Sequence, residues 1–137
     1  MFSNLTTVTQ GGIGMAQAIA TFAKLGHTVS IPLIDNQGYD LIVDKDGQLL
    51  KVQVKTTKQK APSNNYVVEL RRIRANRTQN TIHTFNNQDT DLLYILTEEG
   101  VEYIIPCLEI TAAGAITLGQ KYDKYRLEGS AKVAKRT

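Results

Sequence analysis

The pattern of apolar and polar positions predicts one α-helix followed mainly by β-strands. Apolar residues recur at three- and four-residue steps between Gly14 and Leu25, which is typical of an amphipathic helix, and Gly26 then ends it. Strand patterns follow over Thr28 to Leu33, 39–43, 50–55, Tyr66 to Arg72, Leu92 to Thr97 and Val101 to Pro106. The polar stretch Asn76 to Thr90 predicts an irregular segment, and Leu108 to Leu118 is ambiguous, with a short interrupted helix as one interpretation.

The central pair of predicted strands is joined by a turn that decides which side chains meet. Asp46-Gly47 is a dipeptide that favours a β-hairpin, and directly opposed residues of an antiparallel hairpin point to the same face. Any even loop length therefore brings Asp40 to the face of Lys51, Gln53 and Lys55. A two-residue loop sets Asp40 opposite Gln53, whereas an odd loop would split the cluster.

These side chains suit metal-dependent hydrolysis of a phosphodiester. Such a reaction needs a divalent ion to activate water and to neutralise charge on the phosphate oxygens, and Mg²⁺ commonly takes only one or two carboxylates. Asp40 is a candidate ligand, the side-chain oxygen of Gln53 is a weaker neutral one, and Lys55 could hold the attacking water or stabilise the transition state. The alternative is that the polar side of the hairpin simply faces solvent.

Three runs of sequence carry a resemblance to a known family. They are 26–32 (GHTVSIP), 35–44 (DNQGYDLIVD) and 50–56 (LKVQVKT). Together they resemble the PD-(D/E)XK nuclease superfamily, and most of all its small bacterial group I intron homing endonucleases, which carry Gln at the second acidic position; archaeal Holliday junction resolvases are a more distant match. The resemblance implies that Asp40 and Gln53 bind Mg²⁺ or Mn²⁺ and that Lys55 is the catalytic lysine.

The chain departs from this family pattern at Met15. Most relatives carry a Gly-Glu pair in the first helix, and the matching pair here is Gly14-Met15. A thioether is a soft ligand that binds Mg²⁺ poorly, so only Asp40 supplies charge at the expected positions. Asp35 or Asp44 could compensate, although Asp44 is also explained by turn formation.

A glycine-rich run, Gly11-Gly12-Ile13-Gly14, precedes most of the predicted helix. It lacks the Gly-Lys-Ser/Thr ending of a P-loop and the preceding strand of a dinucleotide-binding fold. We therefore predict a tight turn or a close backbone approach to DNA at this position.

The composition is that of an ordinary globular chain. The 137 residues are 42% hydrophobic and 21% charged, with a net charge of +3. The one cysteine, Cys107, excludes an intramolecular disulfide and suits a reducing cytosol. No segment is apolar enough to span a membrane, so we predict a cytoplasmic protein.

Basic residues cluster after the proposed catalytic strand and indicate contact with nucleic acid. Lysine and arginine neutralise phosphates, and arginine also reads base edges. The predicted nucleic-acid-binding residues are Lys51, Lys58, Lys60, Arg71, Arg72, Arg74 and Arg77. The alternative is a charged edge strand that faces solvent.

We therefore predict one α/β domain over residues 1–137, with a restriction-endonuclease-like core at 11–110, a central mixed β-sheet flanked by helices, and a basic tail at 130–137. The predicted function is that of a homing-type DNA endonuclease acting on double-stranded DNA as a homodimer or homotetramer, because cutting both strands requires two active sites. Two alternatives remain open: an inactive nuclease fold that binds DNA or RNA or acts as a scaffold protein, and a junction-resolving or repair nuclease.

Overall fold

The computed structural model describes residues 1–34, 38–75 and 80–129. Helix α1 spans Thr7–Lys24. The strands are β1 Thr28–Ser30, β2 Leu41–Lys45, β3 Gln48–Thr57, β4 Val67–Glu69, β5 Arg72–Ala75, β6 Asn80–His83, β7 Leu92–Thr97, β8 Glu102–Pro106 and β9 Ala115–Thr117. Two 3₁₀-helices lie at Cys107–Glu109 and Gln120–Tyr125. Within the described ranges, no helix is both long and apolar enough to cross a membrane.

Helix α1 begins earlier than the sequence pattern predicts. The hydroxyl of Thr6 accepts a hydrogen bond from the backbone N–H of Thr9 at 3.1 Å, which satisfies one of the open donors of the first turn. The run Gly11 to Gly14 therefore lies inside the helix, and the predicted tight turn there is wrong. The predicted end is correct, because Gly26 adopts a φ of +87° directly after the helix.

Gly14 is needed because α1 lies very close to β3. A Cβ atom at Gly14 would lie 2.5 Å from the Cγ2 atom of Thr56 and 3.5 Å from the Cγ1 atom of Val54. The side-chain amide of Gln10 also donates a 2.8 Å hydrogen bond to the Thr56 hydroxyl. Thr56 therefore fixes the N-terminal half of the helix against the central strand.

The central sheet is mixed and has the strand order β1-β2-β3-β7-β8. Strands β3 and β7 are parallel, and the other neighbours are antiparallel. The predicted hairpin is confirmed with a two-residue turn, because Lys45 pairs with Gln48. Asp46 and Gly47 have φ values of 52° and 87°, as a type I′ turn requires, and the Asp44 carboxylate accepts the Gly47 N–H at 2.8 Å.

Each face of the sheet carries its own hydrophobic cluster. On one face, Ala18 and Phe22 of α1 pack with Leu41, Val52 and their neighbours. On the other face, residues of β7 and β8 pack with Val68, Leu70, Ile116 and Leu118. The predicted α/β fold with a central mixed sheet is thus confirmed. In the described part of the chain, however, the second face is covered by the small β4–β9 sheet and the 3₁₀-helix at Gln120–Tyr125 rather than by another α-helix.

Two small sheets, β4–β9 and β5–β6, differ from what the sequence predicts at three places. The predicted strand from Tyr66 to Arg72 is divided, since β4 pairs with β9 whereas β5 pairs with β6. The N–H of Leu70, between them, donates to the carbonyl of Gly114. Part of the stretch 76–90, predicted to be irregular, forms β6. The ambiguous segment 108–118 begins with the end of the first 3₁₀-helix and then contains β9.

The first strand is also shorter than predicted, because it ends at Ser30 instead of Leu33. Pro32 follows, and it has no backbone N–H to donate to a neighbouring strand. The chain therefore leaves the sheet before it returns to β2 at Leu41.

Candidate active site

The candidate site lies where β3 extends beyond its partner strand. The last pair between β2 and β3 is Leu41 with Val52, and β3 continues to Thr57. At this point the N–H of Asp40 donates to the carbonyl of Val52 at 2.8 Å. Its carboxylate Oδ2 then accepts the N–H of Val54 at 2.7 Å. The Asp40 carboxylate thus takes the place of a strand neighbour, and that contact fixes its orientation.

Asp40 and Lys55 border the same cavity, whose volume is about 470 Å³. The helix contributes Thr7, Gln10, Gly11 and Met15 to the lining, and the strands contribute Asp40, Val54, Lys55, Thr56 and Glu69. The structure therefore brings together two of the three predicted catalytic residues. The cavity opens at the edge of the sheet, where a long polymer could enter.

The ammonium group of Lys55 is held in a partly buried, charged environment. Burial lowers its pKa from the ordinary lysine value, the Asp40 carboxylate opposes that shift, Arg72 lowers the pKa further, and Glu69 raises it. A cation between two carboxylates and beside a guanidinium can stabilise negative charge that develops on a phosphate. This environment distinguishes Lys55 from an ordinary surface lysine.

The surroundings of Gln53 differ from those of Lys55. Gln53 is 4% exposed and borders a separate cavity of about 10 Å³, which Gly38, Arg72 and Asp89 also line. A volume of that size is about that of one water molecule. The register of the strand pair sets Gln53 beside Asp40, and the assignment of Gln53 as a metal ligand stays a prediction.

Met15 occupies the position that the family resemblance assigns to it. It borders the cavity of Asp40 and Lys55, and it also borders an adjoining cavity of about 270 Å³ with Tyr39 and Asp40. Its side chain also packs against the hydrophobic cluster under α1, and a thioether cannot replace the oxygen ligand that a glutamate would supply. The departure from the family pattern thus falls inside the candidate site.

The described residues fit a divalent ion with few protein ligands. They contain no group of three or more histidine, cysteine or acidic side chains that could hold a metal. Asp40 offers a hard oxygen beside a spacious cavity, and Mg²⁺ is often bound through one or two carboxylates with water completing its sphere. Asp44 is engaged in the hairpin turn, and Asp35 lies outside the described residues.

Glu69 is a carboxylate at this cavity that the sequence analysis did not find. It lies on β4, which reaches the edge of β3 through contacts such as the hydrogen bond from the Thr57 hydroxyl to the carbonyl of Val67. Its position depends on the pairing of β4 with β9, which joins segments far apart in sequence. The local pattern around residue 69 carries no signal for that pairing.

The predicted DNA-binding lysines are spread along β3 and the loop beyond it. Lys51 is exposed, and its ammonium lies 5.5 Å from the centroid of the Tyr39 ring. Lys58 is exposed as well. Lys60 lies 3.7 Å from the Glu99 carboxylate and 4.9 Å from the Tyr66 ring centroid. These lysines do not form one compact patch.

The predicted arginines begin at the cavity itself. Arg71 is exposed and bound to Glu69, and Arg72 lines the small cavity of Gln53. Arg74 lies on β5, paired with Thr81, but its side chain is outside the described part of the structure, as is the whole of Arg77. Arg71 and Arg72 thus connect the candidate site to the β5–β6 ribbon.

Comparison with known proteins agrees with this geometry. Residues 5–131 match the family described as PD-(D/E)XK endonuclease. The chain belongs to this family. A similar solved structure is that of the bacterial homing endonuclease I-Ssp6803I, with a TM-score of 0.74, 32% identity and 88% of each chain covered.

A phage protein is a further relative within this comparison. Protein 5.3 of Escherichia phage T7 is 31% identical over 80 residues, which is 58% of this chain and 64% of the phage protein. The match thus spans less than two thirds of that relative. Membership of a PD-(D/E)XK family and the homing endonuclease as structural neighbour support a nuclease-type function for this chain.

Proposed function

We propose that this chain is a homing-type endonuclease that hydrolyses phosphodiester bonds of double-stranded DNA with Mg²⁺ or Mn²⁺, in the bacterial cytosol. The observation that carries the proposal is the shared cavity of Asp40 and Lys55 at the open edge of β3. The solved relative of the same fold is named as a homing endonuclease, which favours this type of nuclease over others.

Each residue has a distinct role in this proposal. Asp40 would hold the ion, with Gln53 as a neutral second ligand, and the ion would supply activation of water and charge neutralisation. The hydrogen bond from the Val54 N–H keeps the Asp40 carboxylate oriented before substrate arrives. Lys55 would hold the attacking water and stabilise the negative charge that develops on the phosphate oxygens.

Binding of DNA would depend on the basic residues that the sequence analysis identifies. Arg72 lines the small cavity of Gln53, and its charge acts on Lys55. Lys51, Lys58, Lys60, Arg71, Arg74 and Arg77 would extend the contact along the duplex. The described part of one chain holds one such site, and cutting both strands needs two. We therefore propose that the active form is a homodimer or homotetramer.

The test is cleavage of supercoiled plasmid carrying varied inserts, with Mg²⁺, with Mn²⁺ and with EDTA. Lys55→Ala is the control for contaminating nuclease. Nicking or linearisation that requires metal and disappears in Lys55→Ala would support the proposal. Metal-independent cutting, or equal cutting by the variant, would contradict it.

A second candidate function is binding without catalysis, and Met15 beside Asp40 favours it. An inactive nuclease fold would retard DNA or RNA equally well with metal and with EDTA, and it would cut no substrate. Preference for four-way junctions over linear duplex would instead indicate a junction-resolving nuclease.

A further inference from the structure

Glu69 is the second carboxylate at the cavity of Asp40 and Lys55, and it lies on a different strand from both. It borders this cavity together with Met15, and its charge acts on Lys55 alongside that of Asp40. The position that would supply a second carboxylate from the helix is Met15, which offers only sulfur. Glu69 is therefore placed to supply, from β4, the second carboxylate that α1 does not provide.

Both oxygens of Glu69 are engaged by Arg71. The Nε of Arg71 lies 2.7 Å from Oε1, and Nη2 lies 3.1 Å from Oε2. The backbone N–H of Arg71 also donates to Oε1 at 3.0 Å. The two side chains are 50% and 54% exposed, so water screens the pair and the contact can exchange for another.

Arg71 is also one of the residues proposed to bind phosphate. A guanidinium that forms a bidentate contact with a carboxylate has the same geometry for a phosphate. Movement of Arg71 from Glu69 to the DNA backbone would free the carboxylate at the edge of the cavity. Metal binding and DNA binding would then strengthen each other, since such coupling is reciprocal.

We propose that Glu69 is the second carboxylate ligand of the metal site, and that Arg71 occupies it until DNA draws Arg71 away. This inference rests on the proposed function, because it adds a ligand to the same site. It explains how a chain with Met15 in the helix can still present two carboxylates to a hard divalent ion.

The first test measures the affinity of the DNA-free protein for Mn²⁺ by electron paramagnetic resonance. Arg71→Ala should bind Mn²⁺ about two- to fivefold more tightly than the unchanged protein, since it removes a weak competitor. The double variant Arg71→Ala, Glu69→Gln should bind Mn²⁺ at least about tenfold more weakly than Arg71→Ala alone. Loss of even a residue that contacts a metal ligand, rather than the metal itself, lowers metal affinity by about that factor.

A matched pair of charges controls for simple electrostatics. Lys124 and Glu109 are another pair of exposed, oppositely charged residues, and neither lines this cavity. Lys124→Ala, alone and with Glu109→Gln, should leave Mn²⁺ affinity within about twofold of the unchanged protein because exposed charges at a distance are screened. Equal effects of the two pairs would overturn the ligand role of Glu69.

The second test measures duplex binding by fluorescence anisotropy with Ca²⁺ or EDTA, with Asp40→Asn as the reference. Ca²⁺ should strengthen duplex binding by the unchanged protein and lose that effect in Glu69→Gln. If Asp40→Asn loses the effect but Glu69→Gln keeps it, the Glu69 inference fails while the proposed metal site stands. If neither variant alters the effect, both fail.

Discussion

Two carboxylates of the central sheet, Asp40 and Glu102, occupy contrasting surroundings. Glu102 is 7% exposed, and its Oε2 accepts hydrogen bonds from the Thr21 hydroxyl and, at 2.6 Å, from the Tyr94 hydroxyl. Asp40 is bonded to a backbone amide and acts on the ammonium of Lys55. Each borders a sizeable cavity, of about 520 Å³ and 470 Å³ respectively.

Glu102 is buried and Asp40 only partly so, and the two carboxylates also differ in the kind of partner they have. Neutral hydroxyl donors satisfy Glu102 and connect α1 to β7 and β8, which is what a structural carboxylate needs. Asp40 instead shares its cavity with a partly buried cation whose charge is free to act on a substrate. Helix α1 contributes to both regions, through Thr21 near its C-terminal end and Met15 near its middle.

The largest expected effect separates the two carboxylates by role. Asp40→Asn should reduce plasmid cleavage by about a hundredfold or more while leaving the fold intact, because it removes the charged metal ligand. Glu102→Gln should cost about 1–3 kcal/mol of unfolding free energy, since it replaces a buried acceptor of two hydrogen bonds. Cleavage rates and urea denaturation measure the two outcomes. A large loss of stability in Asp40→Asn, with unchanged stability in Glu102→Gln, would reverse the assignment.

The next effect concerns how closely α1 approaches the candidate site. Gly14→Ala should destabilise the protein by about 1–3 kcal/mol, because its Cβ would overlap the Thr56 methyl group. Gly12→Ala is the matched control in the same helix, since nothing lies within 4 Å of its Cβ position. It should stabilise by about 0.5–1 kcal/mol through helix propensity. Thermal unfolding of both variants decides the matter, and equal shifts would mean that α1 does not pack on β3 in this way.

The two regions also differ in how far the sequence predicts them. The hairpin that carries Asp40 and Lys55 follows from strand alternation and one Asp-Gly turn, both of which are local signals. The position of the Glu69 carboxylate at this cavity depends on the pairing of β4 with β9, and short-range sequence patterns do not indicate that pairing. Helix α1 begins earlier than predicted because Thr6 caps it. The glycine-rich run that follows has a low helix propensity, and the sequence pattern therefore did not indicate a helix there.

A change at Met15 adds charge to the cavity of Asp40. Met15→Glu should tighten Mn²⁺ binding by about tenfold and raise the cleavage rate, because a carboxylate replaces a thioether beside Asp40. Met15→Gln, which has similar size and no charge, should give a much smaller gain. Isothermal titration and plasmid cleavage check both variants. Unchanged metal affinity in Met15→Glu would show that position 15 does not reach the ion.

The smallest expected effect tests the Glu102 region by pH. Burial, and then the hydrogen bond to Glu102, raise the pKa of Tyr94 above its ordinary value. Its hydroxyl therefore keeps its proton in the folded state at a pH where the unfolded chain loses it. The resulting stability is complete below about pH 10, the ordinary tyrosine value, and declines as pH rises further.

Tyr94→Phe isolates this contribution from the other titrating groups. At pH 8 the variant should be less stable by about 1–2 kcal/mol, because it lacks a hydrogen bond to a charged group. Between pH 9 and about pH 11 the unchanged protein should lose up to about 1.4 kcal/mol more than the variant does, so the difference between them narrows. Urea denaturation of both proteins across this pH range measures the difference in their unfolding free energies. A constant difference would mean that Tyr94 titrates normally, and a fall in plasmid cleavage at pH 8 would mean that the Glu102 region serves the active site as well as the fold.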